Sequence, residues 1–319
     1  MNPAGVAPRA LLSSRSALFA RLREFFARRG VLEVDTPLLA ATTTPDPAIA
    51  SLEVVSPLEP GWRGYLQTSP EFAMKRLLAA GSGDIYQLGH VFRDGEAGRR
   101  HLREFTLLEW YRVGYDEHRL MDEVAELLAE LLPDAAGSGG ERLSYRLAFE
   151  RATGVDPLTA DGIALSRCLA AADVDVPAGM SRSGLLDLAM GTLVIPGLGH
   201  HGACFVHDYP AEQAALAAIN PGQPPTAARF EVFIAGLELG NGFRELTDAD
   251  EQRRRFEQER RWRTAHGHPA PPLDEALLAA LARGLPDCAG VAMGVDRLLM
   301  LALASDDIRQ VVPVEPDDV

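Results

Sequence analysis

Two runs of strand-forming residues, Asp84–Arg93 and Arg103–Val113, are joined by the short glycine- and arginine-rich loop Asp94–Leu102. A loop this short suits antiparallel neighbours, because a parallel pair needs a long crossover. Side chains alternate along a strand, so Phe105, Leu107, Glu109 and Tyr111 are expected on one face. Arg93 ends the neighbouring strand, and the loop supplies Arg99, Arg100 and His101. This cluster suits a polyphosphate held beside an aromatic ring that stacks on a base. A solvated basic hairpin is the other reading that the residues leave open.

The spacing of Ala17, Leu18, Leu22, Phe25 and Phe26 predicts an amphipathic helix over Ser13–Arg29, with Ser13 or Ser14 as N-cap and Gly30 just past the end. A short extended segment runs from Val31 to Pro37, followed by a polar loop, Ala41–Pro47. Ser69-Pro70-Glu71 reads as a helix start with a capping hydroxyl and proline at the first helical position, and Gly81 and Gly83 end that helix. Glu117–Leu132 reads as a helix and Pro133–Gly140 as the most linker-like segment. A helical middle follows, then strand signals at Ala203–Tyr209 and Ala228–Leu239. The remaining elements are a helix over Ala249–His266 and a glycine-punctuated strand and helix over Gly290–Leu303. No repeat and no sharp domain boundary is visible; 319 residues fit one large domain or two small ones.

The charge balance narrows the partners. With 31 basic and 45 acidic residues the net charge is -14, which works against nonspecific attraction to phosphate backbones. Val291–Leu303 is among the most apolar stretches, yet it carries Asp296 and Arg297 and falls short of the roughly 18 apolar residues of a membrane span. The N-terminus has no apolar signal-peptide core. Cys168, Cys204 and Cys288 are too far apart for a metal knuckle and read as reduced thiols of a cytoplasmic protein.

Three further constellations carry chemistry. Glu231 and Glu238 flank a turn at Ala235-Gly236, so in a hairpin they lie opposite or diagonal and repel unless a cation such as Mg²⁺ joins them. Two exposed hairpin acids is the alternative. In Asn241-Gly242-Phe243-Arg244-Glu245, the residues Asn241, Phe243 and Glu245 share parity, and Gly240 and Gly242 let backbone approach a ligand. Glu245 would be the third acid of a pocket with Glu71 and Glu109. Acids converging with no fixed basic partner suggest a ligand that carries ammonium groups. Finally, GVAMGVDR (Gly290–Arg297) is a strand-to-helix junction headed by Asp296 and Arg297, either a phosphate clamp or an internal Asp–Arg salt bridge.

In their order, these pieces resemble the three signature motifs of class II aminoacyl-tRNA synthetases. Motif 1 is similar to Gly30–Pro37, motif 2 to Phe92–Tyr111 and motif 3 to Gly290–Arg297. With SPEFAMKR (Ser69–Arg76) and ELGNGFRELT (Glu238–Thr247), the resemblance narrows to the lysyl-tRNA synthetase catalytic core. Only about a dozen residues precede the first helix, which leaves no room for an anticodon-binding domain, so the expected layout is an extension over 1–12 and a catalytic domain over 13–319. Such a core resembles the stand-alone paralogues that attach (R)-β-lysine to a lysine of elongation factor P. Ser69, where lysyl-tRNA synthetases usually have Ala, and Ala292, where they have Gly, agree with those paralogues. The departures are Gly95, Leu102 and Arg103, where the family typically reads FRNE and HNPEF; an acidic contact to ATP at position 95 is lost, with Glu96 the nearby acid.

The resemblance implies an α+β fold, an antiparallel β-sheet flanked by helices, and a cytoplasmic homodimer with Pro37 and the first helix in its interface. It implies ATP and Mg²⁺ as cofactors and lysine or β-lysine as substrate, with elongation factor P as acceptor and no stable tRNA binding. Arg93 would hold the α-phosphate, Phe105 would stack on adenine, His101 and Arg297 would bind the outer phosphates, and Glu231 and Glu238 would carry Mg²⁺. Ser69, Glu71, Glu109, Tyr111, Asn241, Phe243, Glu245 and Ala292 would line the amino-acid site, Glu245 taking the distal ammonium. A truncated enzyme that charges tRNA or releases free adenylate, and a non-enzymatic lysine or ATP sensor, remain as alternatives.

Overall fold

The computed structural model describes residues 8–137 and 139–314. The chain groups into two compact units. The first holds the residues up to Gly114, Thr247–Cys288 and the residues from Ala292 onward; the second holds Tyr115–Leu246 and Ala289–Val291.

In the first unit, α1 (Arg9–Ala27) buries Leu18, Leu22, Phe25 and Phe26 of the expected apolar stripe, while Ala17 at its edge is exposed. Its start differs from the sequence reading. The helix begins after Pro8 with no side-chain cap, and the hydroxyl of Ser14 donates back to the Ala10 carbonyl at 3.1 Å, as serines inside helices do. Of the expected extension over 1–12, residues 1–7 lie outside the described residues. Gly30 ends the segment at φ +67, a left-handed conformation that suits glycine.

The next strands are β1 (Leu32–Glu33), β2 (Leu39–Ala40), β3 (Glu53–Val55) and β4 (Arg63–Leu66), the last three forming a small antiparallel sheet in the order β2-β4-β3. After α2 (Glu71–Ala79), the predicted hairpin is present as β5 (Ile85–Phe92) and β6 (Glu104–Val113). Its antiparallel register runs from Phe92↔Glu104 to Ile85↔Tyr111, and β1 adds to β5 in parallel.

The second unit opens with α3 (Glu117–Leu131), capped by Asp116. The expected linker is not one over its first residues: Pro133–Ala136 forms the short helix α4, and the Ala136 carbonyl accepts from the Ala203 amide at 2.8 Å. Strand β7 (Glu141–Ser144) precedes the helical middle, α5 (Tyr145–Thr153), α6 (Gly162–Ala171) and α7 (Arg182–Ala189). Then come β8 (Cys204–Pro210), β9 (Ile219–Asn220), β10 (Thr226–Ile234) and β11 (Leu237–Arg244). These strands follow the order β11-β10-β8-β7 with β9 beside β10; β7 and β8 are parallel and the rest antiparallel. The helical middle supplies Tyr145, Phe149, Leu165 and Leu186, which bury their apolar faces with Val206 and Phe233 of the sheet.

The chain then returns to the first unit as α8 (Ala249–Ala265) and α9 (Glu275–Gly284). It ends in β12 (Cys288–Gly294), whose Ala289–Val291 group with the second unit, and α10 (Val295–Ala302). The fold class is therefore α+β, as expected. Cys168, Cys204 and Cys288 are free thiols, and among the described residues no helix is long and apolar enough to cross a membrane.

Candidate active site

In the first unit, the hairpin β5–β6 places its chemistry at two ends. At the Glu109 end, the Ser69 hydroxyl accepts from the Glu71 amide at 3.0 Å and donates to Glu109 Oε2 at 2.6 Å. Pro70 thus occupies the cap position of α2 rather than the first helical position. The Tyr111 hydroxyl donates to Glu109 Oε1 at 2.7 Å. Burial and the neighbouring Glu71 push the Glu109 carboxyl up to about 7, against the two hydroxyls and Lys75, which lower it.

The expectation of acids without a fixed basic partner fails for Glu71. Lys75, only 1% exposed, donates to Glu71 Oε1 at 2.6 Å. Its four-residue spacing from Glu71 on one helix is the signal that could have found it.

At the other end of the hairpin, Arg93 bonds the Thr68 carbonyl at 3.2 Å, pairs with Glu96 at 3.5 Å and lies 5.1 Å from the Phe105 ring centre. Gly95 has φ +76, so the acid that the family carries at this position would be strained here. The acid beside it, Glu96, instead faces Arg93. Arg297 Nη2 donates to His101 Nε2 at 2.7 Å, and its Nε to the Arg100 carbonyl at 3.4 Å. Burial and the charge of Arg297 hold the His101 imidazole below its usual range, which keeps Nε2 an acceptor. Arg99 is engaged with Asp306.

The suggested Asp296–Arg297 salt bridge gives way to another pairing. Asp296, 2% exposed, binds Arg15 Nη1 of α1 at 2.5 Å and accepts from the Thr106 amide at 2.7 Å. Arg15 Nη2 in turn donates to the Thr106 hydroxyl at 2.6 Å. Neighbouring residues have separate work: Asp296 ties α1, β6 and α10 together, while the Arg297 side chain reaches the hairpin loop. Ala292 sits half-buried in β12.

In the second unit, the β10–β11 register corrects the expected placement of Glu231 and Glu238. Glu231 faces Asn241 and Glu238 faces Phe233, because a bulge falls between Val232 and Phe233. The sequence reading also missed Arg229. Its Nη2 binds Glu231 Oε1 at 2.5 Å, its Nε the Asn241 side-chain Oδ1 at 3.3 Å and its Nη1 the Gln213 backbone carbonyl at 2.8 Å. The guanidinium lies 4.5 Å from the Tyr209 ring centre. Burial opposes its charge, but Glu231, Tyr209 and Glu238 outweigh burial and raise it further.

Gly242 does not open the backbone to a ligand. A Cβ there would meet the Phe230 ring at 2.5 Å and Val291 Cβ at 2.9 Å, so packing requires the glycine. Phe243 packs against the core of this unit. Glu245, just past β11, is 2% exposed, and its backbone bridges Ala217.

Oxygen donors such as Glu231 and Glu238 suit a hard cation like Mg²⁺, which completes its shell with water and phosphate oxygens. Among the described residues no group of three or more His, Cys, Asp or Glu side chains is disposed to hold a metal on its own. The two carboxylates, Glu231 also bound by Arg229, have the donor chemistry of a metal shared with a substrate.

The family model for class II tRNA synthetases (D, K and N) matches residues 7–314. A protein of Yersinia enterocolitica named elongation factor P–(R)-β-lysine ligase is 50% identical over 311 residues, 96% of this chain and 95% of its own length. Proteins of the same name from Yersinia pestis and Yersinia pseudotuberculosis are each 49% identical over 96% of this chain and 95% of theirs.

Proposed function

The chain belongs to the class II tRNA synthetases of the D, K and N group, and from that premise we propose that it activates (R)-β-lysine or lysine with ATP and transfers the aminoacyl group to a lysine of elongation factor P. The observation that carries this reading is the near full-length identity of 50% to a ligase of that name. The chain is an ATP-dependent ligase.

ATP is a substrate here. In our assignment Phe105 receives adenine, Arg93 the α-phosphate, and His101 with Arg297 the outer phosphates. The half-buried setting of Arg93 against Phe105 supports this, because a guanidinium already fixed beside an aromatic ring loses little freedom on binding. Glu231 and Glu238 would hold Mg²⁺, which when bound supplies positive charge to phosphate oxygens. Ser69, Glu71, Glu109, Tyr111, Asn241, Phe243, Glu245 and Ala292 are assigned to the amino acid.

The substrate carboxylate attacks the α-phosphorus and pyrophosphate leaves. The carboxylate is already ionised, so no general base is needed, and catalysis rests on alignment and on charge stabilisation by Arg93. The acceptor amine, with an ordinary pKa of about 10.4, then loses a proton and attacks the acyl carbon, releasing AMP.

We assign residues 13–319 to one catalytic domain, acting in the cytoplasm where elongation factor P works. Exposed Leu32, Leu38 and Leu39 beside Pro37 support a homodimer interface at this segment.

The test is ATP–pyrophosphate exchange with lysine and (R)-β-lysine in turn, followed by mass analysis of elongation factor P and of tRNA. Exchange and a modified factor are expected. Lysylated tRNA with unmodified factor would favour a tRNA-charging enzyme, and no exchange with either amino acid would favour a sensor.

A further inference from the structure

Glu71 and Glu109 place two carboxyl groups in one water-poor corner of the first unit, Glu109 being 2% exposed. Two such acids do not both ionise without compensation. Lys75, itself buried, closes on Glu71 Oε1 at 2.6 Å, whereas the oxygens of Glu109 receive the hydroxyls of Ser69 and Tyr111 at 2.6 and 2.7 Å. A neutral hydroxyl bonds either form of a carboxyl group, whereas an ammonium group selects the ionised one.

We propose that Lys75 is a positioning residue that fixes the charge on Glu71 before substrate arrives, leaving Glu109 to exchange its proton for the ammonium group of the amino acid. This rests on the reading of the site as an amino-acid site. The step is balanced: the Glu109 carboxyl releases one proton to solvent, and the resulting carboxylate pairs with one substrate ammonium. No covalent bond between heavy atoms changes.

The groups that face Glu109 agree with this assignment. From α2 they are Glu71, which opposes ionisation, and Lys75, which favours it; from its own strand there is Tyr111. Strand β5 presents Gln87 directly opposite, buried and without charge, its amide oxygen accepting from the Thr36 amide at 2.9 Å. The free carboxyl is held up at about 7, so proton release is a neutral-pH event.

The experiment is titration calorimetry of the full chain with (R)-β-lysine and with lysine, in buffers of different ionisation enthalpy. It is paired with the pH dependence of KM in ATP–pyrophosphate exchange. Close to one proton should be released below neutrality, falling toward none in mild alkali. KM for the amino acid should rise by roughly tenfold for each pH unit below about 7, while KM for ATP stays flat.

Lys75→Met should move that breakpoint to higher pH, because it removes the cation that favours ionised Glu109, and Lys75→Arg should move it back. If Lys75→Met does not fold, Glu109→Gln must abolish proton release. Binding without proton release overturns the inference and leaves the amino-acid reading intact. A slower Lys75→Met enzyme with an unmoved breakpoint also overturns it, reducing Lys75 to a structural part. No binding and no exchange with either amino acid overturns the amino-acid reading itself and the inference with it.

Discussion

At the loop end of the β5–β6 hairpin the prominent charges are cations at least partly open to water; at the Glu109 end they are acids largely withdrawn from it, Glu109 buried and Glu71 of α2 partly so. Arg93 and Arg297 gather at the open end, Arg93 braced by the Thr68 carbonyl and Glu96, Arg297 by the His101 imidazole and the Arg100 carbonyl, so positive charge is kept ready without a dedicated buried counter-ion. Glu71 and Glu109 occupy the closed end, where an unpaired charge costs far more. The open end can hold its charge before ligand arrives. The closed end must share charge among its own residues until a ligand supplies more.

The largest effect that would break this contrast lies next to the open end. Asp296 and Arg297 are neighbours with opposite surroundings, Asp296 buried against Arg15 and Arg297 reaching the loop. Asp296→Asn leaves Arg15 without its ionised partner and should lower stability by about 3–5 kcal/mol, read as a shifted urea midpoint. A midpoint unchanged from wild type would mean that the Arg15–Asp296 pair does not hold α1, β6 and α10 together.

Arg297→Ala and Arg93→Ala should do the reverse. Each should reduce pyrophosphate exchange by roughly 10²–10³-fold, the scale seen when one transition-state charge contact is removed, with the urea midpoint unmoved. Near-normal exchange would remove that arginine from the phosphate site. Unfolding in its place would class the open end with the closed one.

Much of this contrast was legible in the sequence, and its limits have physical causes. The hairpin, its parity and the cation-rich loop follow from alternation and loop length, which are local properties. Arg15, Lys75 and Arg229 were missed because charged residues on helices and strands ordinarily face water. Only tertiary placement shows Arg15 meeting Asp296 from the far end of the chain. Lys75 alone had a local signal, its spacing from Glu71. The misplacement of Glu238 has another source: a bulge adds one residue to a hairpin and changes every later pairing, and no residue between Glu231 and Glu238 announces it. Gly242 shows a third limit, since the sequence marks that a side chain is excluded without saying whether a ligand or Phe230 excludes it.

The closed end should carry a stability cost that depends on pH. The Glu109 carboxyl titrates near 7 in the folded chain against an ordinary 4.5, so between those values the folded state binds more proton than the unfolded one. Stability from this group is therefore full in acid and falls as pH rises through that window, by up to about 3 kcal/mol. Glu109→Gln removes the titration. Without substrate, the variant should be more stable than wild type in urea at pH 8, with the gap closing toward pH 5, while amino-acid binding weakens but stays measurable. Parallel stability curves would mean that the folded chain already compensates the charge of Glu109.

The smallest effect concerns shape rather than charge. Ala292 is half-buried in β12, where the related tRNA enzymes carry glycine, so the two differ there by a single methyl group. A methyl beside the α-carbon crowds an amino group attached there and spares one displaced along the chain. Deleting it leaves every charge at both ends of the hairpin in place. Ala292→Gly should therefore shift the ratio of kcat/KM for lysine over (R)-β-lysine in favour of lysine, by about 1–3 kcal/mol if the methyl touches substrate. KM for ATP should not move. A ratio that stays fixed would transfer the discrimination to Ser69, whose hydroxyl holds Glu109, and would make the choice of substrate a matter of charge placement at the closed end.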